Sequence, residues 1–544
     1  MQVEKGRTFL KGTAILAGAG VLMKVLGAVF RIPLTNWLGA QGMSYYGIAY
    51  AIYGLLVVIG TAGVPVAVSK MVSENIAQER YRNVDQVFKA ALMIMTIIGG
   101  VSFVVCFFGA DYIAVLCKIP KASLAIRAMA PALFLVPFFS AFRGYFNGHQ
   151  NMAPTAFSEI VEQLVRCGTG LVLAYTFFKA GDLVKAAAGA SGGASAGAVG
   201  GLLVIFLIFL ANRKVFRRQA EEHDQTTEDL RTLAKKLLWI AVPIVIGCEI
   251  MPIMTLIDTG IITRVLQNTG WTPEESEYMY GLFSGFCNAL IAFPQIFTQA
   301  VAVSIVPAVS SRYKVKDMQG VHDTIRLGYR TTMIMAFPCA FGIFVIATPI
   351  LRLLYFNQWE SCADATPTLM VMAISIIFLA TMQTSTSVLQ SVGKQYIPVR
   401  NLAIGCIGKV VVTYILVGIH SINIMGAAFG TMFAYSFAML LNAYCVKKYT
   451  GLTYSFTMTY LRPGIAAAGM AVVTWLVYHG LFTVLSAHHG QVGANMLATV
   501  IAILAAMVVY VILIFAVKAI HYDELDQLPG GGMLKKVIGK VWKH

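Results

Sequence analysis

The stretch GAGVLMKVLGAVFRIPLTNWLG, Gly18 to Gly39, has the length and apolarity of a membrane-spanning helix, yet it carries two cations, Lys24 and Arg31. A bilayer core takes roughly 20 apolar helical residues to cross. A charge at its centre costs roughly 2.5–3.5 kcal/mol on insertion scales. The two cations are seven residues apart, and seven residues of α-helix turn through about 700°, close to two full turns. Lys24 and Arg31 therefore share a face, and that face is expected to meet something other than lipid. Pro33 is expected to bend the far end of this helix.

The rest of the chain has the same character. Its 544 residues are 58% hydrophobic and only 12% charged, about half of the roughly 25% usual for soluble domains. The sequence is that of an all-α, multi-pass membrane protein. The net charge of +16 fits cations collected in cytoplasmic loops, which set topology. No basic surface module with interleaved aromatics is present, so no nucleic-acid partner is expected. The nine cysteines mostly lie inside apolar runs, where a free thiol behaves as a small hydrophobe. No Cys/His ligand spacing appears, and no P-loop, HExxH or GxSxG motif. Neither a metal, a cofactor nor an enzymatic activity is expected. The glycines of GASGGASAGAVGG (Gly189–Gly201) are read as a surface for close helix packing.

Apolar runs predict fourteen spans, among them 12–37, 45–69, 154–179, 460–485 and 491–517. The first is too long for the core of a signal peptide. Cations gather in alternate loops, as in 70–89, 213–236 and 312–326, whereas one intervening loop holds Glu274, Glu275 and Glu277. The positive-inside rule then puts both termini in the cytoplasm.

The chain also repeats. AVSKMVSENIAQERYRNVDQVFK (Ala67–Lys89) is echoed by AVSIVPAVSSRYKVKDMQGVHDTIR (Ala302–Arg326), and the G-x-Q turn at Gly148 by that at Gly393. Six spans separate the copies, an even number, which predicts parallel repeats. The expected organisation is a six-helix lobe over 1–212, a cytoplasmic linker over 213–233, and a second six-helix lobe over 234–450. Two extra helices and a cytoplasmic tail follow over 451–544. Pseudo-symmetric lobes of this kind enclose a central cavity and work by alternating access.

Charges inside spans are candidate cavity residues. Aligning Tyr46-Gly47 with Tyr280-Gly281 puts Lys24 opposite Asp258, and Arg31 within one residue of Arg264. Glu159, Glu162 and Arg166 share one face of the fifth span; Lys409 sits one residue from the position equivalent to Arg166. Lys24, Arg31, Arg166, Arg264 and Lys409 are the candidate cationic set. Glu249, flanked by Pro243 and Pro252, and Asp258 are candidate coupling carboxylates. Glu159 and Glu162 are read as either functional groups or partners of a structural ion pair with Arg166.

Four stretches carry a resemblance: KVLGAVFRIPLTNWLG (24–39), AVSKMVSENIAQ (67–78), RGYFNGHQNMAPTAFSEIVEQLVR (143–166) and AVSIVPAVSSRY (302–313). With them the chain resembles the MurJ/SpoVB/YtgP-like polysaccharide exporters of the MOP flippase superfamily, over nearly its whole length. The resemblance implies fourteen helices in two lobes and a flippase for undecaprenyl-pyrophosphate-linked peptidoglycan precursor, lipid II. The family's cation pair on the first helix matches Lys24 and Arg31, with Lys in the place of the first Arg. The arginines that MurJ-type members place on spans two and eight are absent here. A flippase for another lipid-linked glycan, such as teichoic acid or capsule repeat, and a cation-coupled drug exporter are the alternatives. Membrane potential or an H⁺ or Na⁺ gradient is the expected driving force. The expected partners are the lipid-linked oligosaccharide, membrane lipids and the cell-wall synthesis machinery, with the protein itself a monomer.

Overall fold

The computed structural model describes residues 2–222, 227–452 and 455–519. The expected tail beyond residue 519, and the middle of the expected linker, lie outside the described residues. Among those described there is no strand; every regular element is helical. By its internal contacts the chain forms two compact units, Met1–Gly285 and Phe286–His544.

The first unit contains α1 (Gln2–Thr61), α2 (Val64–Ala77), α3 (Tyr81–Phe108), α4 (Ala110–Leu116), α5 (Ser123–Gly148) and α6 (Ala153–Lys179). It continues with α7 (Leu183–Glu222), α8 (Leu230–Asn268) and α9 (Pro273–Gly281). Helix α8, expected in the second lobe, thus packs with the first unit, against α1, α2 and α3. The second unit contains α10 (Asn288–Lys314), α11 (Met318–Val345), α12 (Ala347–Leu354), α13 (Trp359–Ser391), α14 (Tyr396–Val417), α15 (Met425–Thr450) and α16 (Arg462–Ala516). Its core joins Val301, Ile305, Ile325, Tyr329, Val388 and Val446, and the Tyr329 hydroxyl is satisfied by Ser385 Oγ at 2.7 Å.

Twelve helical segments among the described residues are long and apolar enough to cross a membrane, where fourteen spans were expected. Two features account for the difference. The segment Gly18–Ala77 runs through both of the first two expected spans. Between them stands no loop but Gly39 alone, at φ 59° and ψ −169°, a conformation open to a residue without Cβ. Helix α6, over the expected span 154–179, falls outside the twelve; Glu159, Glu162 and Arg166 lie within it. The last two expected spans also form one element, α16, broken at Gly490.

The glycine-rich stretch does what small residues do between membrane helices. A Cβ at Gly189 would meet Leu173, at Gly193 the Arg166 carbonyl and Gly170, and at Gly197 the Glu162 carbonyl. These positions recur every four residues and form one ridge of α7 laid on the backbone of α6. The backbone that carries Glu162 and Arg166 is thereby fixed in place.

Candidate functional site: an arginine–tyrosine cluster

The break at Gly39 builds the site. In a straight helix Arg31 and Tyr50 would be separated by about 28 Å. Here the two halves of α1 double back. The Phe30 and Tyr46 rings lie 6.3 Å apart, and the Arg31 guanidinium carbon is 5.7 Å from the Tyr50 ring centroid. Helix α6 closes a second side. Gly27 of α1 faces Gln163, and the Cys167 thiol points at the Leu26 carbonyl 3.7 Å away. This approach brings the Arg166 guanidinium to 5.3 Å from the Tyr50 ring and 5.6 Å from the Tyr53 ring.

Two of the expected cations, Arg31 and Arg166, therefore meet across one aromatic ring. Tyr46, Tyr50 and Tyr53 recur at i, i+4 and i+7, one face of a helix, and their rings stand 5.8 and 6.2 Å apart in succession. Tyr46 and Tyr53 are buried, while Tyr50 is 38% exposed and opens the cluster to its surroundings. Among the described residues no carboxylate stands within ion-pair distance of Arg31 or Arg166. Each cation–π contact contributes about 0.5–2 kcal/mol, but a ring face does not neutralise a charge. Two guanidiniums without a carboxylate, walled by rings, have the donor chemistry to hold an anion with several oxygens, since Arg binds phosphate through paired N–H donors. The tyrosines were not singled out in the sequence; their helical spacing was the available signal.

The acidic residues of α6 go elsewhere. Glu162 pairs with Arg143 of α5 at 2.8 Å and Glu159 with the same guanidinium at 3.8 Å, all three side chains being about four-fifths buried or more. Ser158 Oγ accepts from Arg143 at 2.9 Å, and the guanidinium carbon lies 4.5 Å from the Phe139 ring centroid. The structural partner of Glu159 and Glu162 is thus Arg143, not Arg166.

The remaining candidates are spread over both units. Lys24 is exposed on α1, two turns from Arg31. Asp258 is buried on α8, next to Thr259, whose hydroxyl shares a 2.7 Å hydrogen bond with Tyr280. Arg264 is exposed and donates to the Leu116 carbonyl at 3.2 Å, beside Thr263 and Gln267, which donate to Cys117 and Lys118. These bonds tie α8 to the segment after α4. Burial there pushes the Cys117 thiol up, with Arg264 opposing. Glu249 is buried on α8 with no hydrogen-bond partner for either carboxylate oxygen. Lys409 is buried in the second unit, where its stem and carbonyl lie against Gly430 of α15.

Comparison with known proteins agrees with this architecture. The polysaccharide biosynthesis protein family matches residues 9–313, and the MatE family matches residues 284–415. Stage V sporulation protein B of Bacillus subtilis is 26% identical over 529 residues, covering 97% of this chain and 99% of that protein. The lipid II flippase MurJ of the same organism is 25% identical over 518 residues, covering 92% and 93%. A solved structure of lipid II flippase MurJ in an inward closed conformation superposes with a TM-score of 0.65 at 16% identity, covering 92% of this chain and 98% of that one. The flippases among these relatives are transporters, not catalysts. With its family match extending over more than half of its length, this multi-pass membrane chain belongs to the polysaccharide biosynthesis protein family.

Proposed function

We propose that this protein flips a lipid-linked glycan, specifically undecaprenyl-pyrophosphate-linked lipid II, from the inner to the outer leaflet of a bacterial plasma membrane by alternating access. The observation that carries this reading is the meeting of Arg31 and Arg166 on Tyr50 without a carboxylate. A polyprenyl diphosphate sugar has an anionic head that hydrocarbon excludes and an apolar tail that hydrocarbon accepts. Paired guanidiniums compensate the diphosphate, and tyrosine rings and hydroxyls suit its sugar. Lys24, on the same face of α1 as Arg31, extends the positive field along that helix; Arg264 and Lys409 remain candidate cations. The names of the relatives support the substrate class.

Moving a net negative head outward is favoured by an inside-negative potential, worth roughly 2.3 kcal/mol per charge per 100 mV. Glu249, buried without a partner, is the candidate for an H⁺ or Na⁺ coupled return step; Asp258 is the second. Both termini are assigned to the cytoplasm by the charge of the loops, and association with the cell-wall synthesis machinery follows from the substrate.

The same observation favours one second reading, a flippase for another lipid-linked glycan, because the cluster reads a diphosphate and not the sugar sequence beyond it. A bacterium depleted of its own lipid II flippase separates the two. The parent is expected to restore outer-leaflet lipid II, and a membrane-inserted Arg31→Ala/Arg166→Ala variant to fail. Rescue by both would remove the role of the arginines. Failure of a well-expressed parent would move the assignment to another glycan.

A further inference from the structure

Helix α6 carries Glu159, Glu162, Gln163, Arg166 and Cys167 within about two turns. The carboxylates go to Arg143 and Arg166 to the rings of Tyr50 and Tyr53. Gln163 goes to the first half of α1. A Cβ at Gly27 would stand 3.6 Å from Gln163 Nε2, so the amide meets bare backbone there. Gly27 lies three residues after Lys24 and four before Arg31, on the surface that the two cations share. Gln163 itself is three residues before Arg166, a spacing that sets Cβ atoms about 5–6 Å apart. The amide thus stands one turn from each guanidinium of the cluster, along α6 from Arg166 and across from the turn of α1 that precedes Arg31.

The protein makes little use of this amide. Its Nε2 donates to Cys167 Sγ at 3.5 Å, and the thiol points at the Leu26 carbonyl 3.7 Å away. Sulfur is a weak acceptor. Gln163 has no other hydrogen bond among the described residues, and its side chain is half-buried. A primary amide offers two N–H donors and a carbonyl acceptor, so most of that capacity is open to a ligand. The surface around it is small and apolar: Gly27 has no side chain, and a free thiol behaves as a small hydrophobe.

We infer, resting on the flippase assignment above, that Gln163 reads the first sugar of the glycan and selects one that carries an acetamido group. The arginines meet the diphosphate, and the sugar joined to it begins within reach of a residue one helical turn away, about 5.4 Å. An acetamido group projects further from a sugar ring than a hydroxyl does. It has an amide that exchanges hydrogen bonds with Gln163 and a methyl that lies on Gly27 and Cys167. A hydroxyl in its place leaves the methyl surface uncovered and the amide of Gln163 short of a partner. A neutral side chain also suits this position, because a carboxylate there would repel the phosphates. Gln163 is therefore a specificity-determining residue, and the arginines supply the affinity common to every diphosphate ligand.

The test measures equilibrium binding to the purified full-length protein in detergent. The probes are undecaprenyl diphosphate, its glucosyl derivative and its N-acetylglucosaminyl derivative, and the last two differ only at the acetamido position. The parent is expected to bind the acetylated ligand about tenfold more tightly than the glucosyl one, the worth of about one further hydrogen bond. Gln163→Leu and Gln163→Met are expected to bring that ratio close to one. Both replace a half-buried side chain held by one contact to sulfur, and thermal unfolding checks that each folds as the parent does. Arg31→Ala/Arg166→Ala is expected to weaken all three ligands and keep the ratio. Equal affinity of the parent for the two glycosyl ligands, or a ratio kept in both Gln163 variants, would overturn the proposal. So would a loss in those variants that is the same for all three ligands, since it would give Gln163 a packing role. A parent that binds none of the three would overturn the diphosphate site itself, a result distinct from loss of the preference alone.

Discussion

Arg143 reaches α6 from α5 and Arg166 stands on it, and both are arginines among membrane helices, yet their surroundings are opposite. Arg143 is matched by Glu162 at 2.8 Å and Glu159 at 3.8 Å. Arg166 has the rings of Tyr50 and Tyr53 and, nearby across Tyr50, a second guanidinium. Glu162 stands one turn from Arg166 on the same helix, the spacing at which opposite charges pair, and it pairs with the other arginine. The first group is electrically complete and its work is to hold α5 to α6. The second holds two guanidiniums with aromatic rings, and no carboxylate, beside them. On the proposed function, compensation by carboxylates, more than burial, separates a structural charge from a binding one here.

Stability is expected to break the comparison most sharply. Arg143→Met leaves Glu159 and Glu162 buried beside each other, and removing one side of a buried ion pair costs about 3–5 kcal/mol. Thermal unfolding in detergent is expected to move down by several degrees or more. Arg143→Met/Glu159→Gln/Glu162→Gln is expected to recover most of that loss, since no charge remains stranded. Recovery that failed would mean that Arg143 acts through more than its carboxylates.

Arg166→Gln is expected to behave in the opposite sense. Relief of repulsion with Arg31 keeps stability level or raises it slightly, while transport falls. A hydrogen-bonded charge pair with a diphosphate is worth about 1.5–3 kcal/mol, so binding of the lipid-linked substrate is expected to weaken by roughly 10- to 150-fold. A fluorescent lipid-linked diphosphate and the purified variant suffice to measure it. A stability loss as large as that of Arg143→Met would place Arg166 with the structural charges.

Tyr50 stands between the two arginines and its replacement should have a smaller effect. Tyr50→Leu removes both cation–π contacts, each about 0.5–2 kcal/mol, and lets the guanidiniums approach or separate. Tyr50→Phe keeps the ring and loses the hydroxyl. Transport is expected to fall severalfold with Leu and little with Phe. Equal loss in both would make the hydroxyl, not the ring, the group that matters.

The fold was largely legible because its signals are local. The all-helical, multi-span character rests on apolar run lengths, each of which needs only one segment of chain to be read. The junction of the first two spans escaped because a single glycine, Gly39, replaced the expected loop; the last two spans stand as two segments, as expected, parted at Gly490. The choice between a helical glycine and one at positive φ is not written in a run of apolar residues. The site was half legible. The seven-residue spacing of Lys24 and Arg31, and Arg166 within its acidic neighbours, marked the charges. Their partners lie on other helices. Arg143 reaches Glu162 from α5, and Tyr50 reaches Arg166 from α1; neither follows from spacing along one helix.

Arg264 draws the boundary of the cluster, and its effect should be the smallest. It is exposed, and its bond to the Leu116 carbonyl ties α8 to the segment after α4 alongside those of Thr263 and Gln267. One hydrogen bond of three contributes about 0.5–1.5 kcal/mol when buried, and less at an exposed site. Arg264→Gln keeps a donor at the same carbonyl, so unfolding is expected to shift by no more than a degree or two. Substrate binding then decides which comparison Arg264 belongs to. Affinity within twofold of the parent would class it with Arg143, a cation whose partner is the protein. A loss approaching that of Arg166→Gln would extend the anion site along α8 from Asp258 to Arg264, so that the charges of α1 and α8 act on one path.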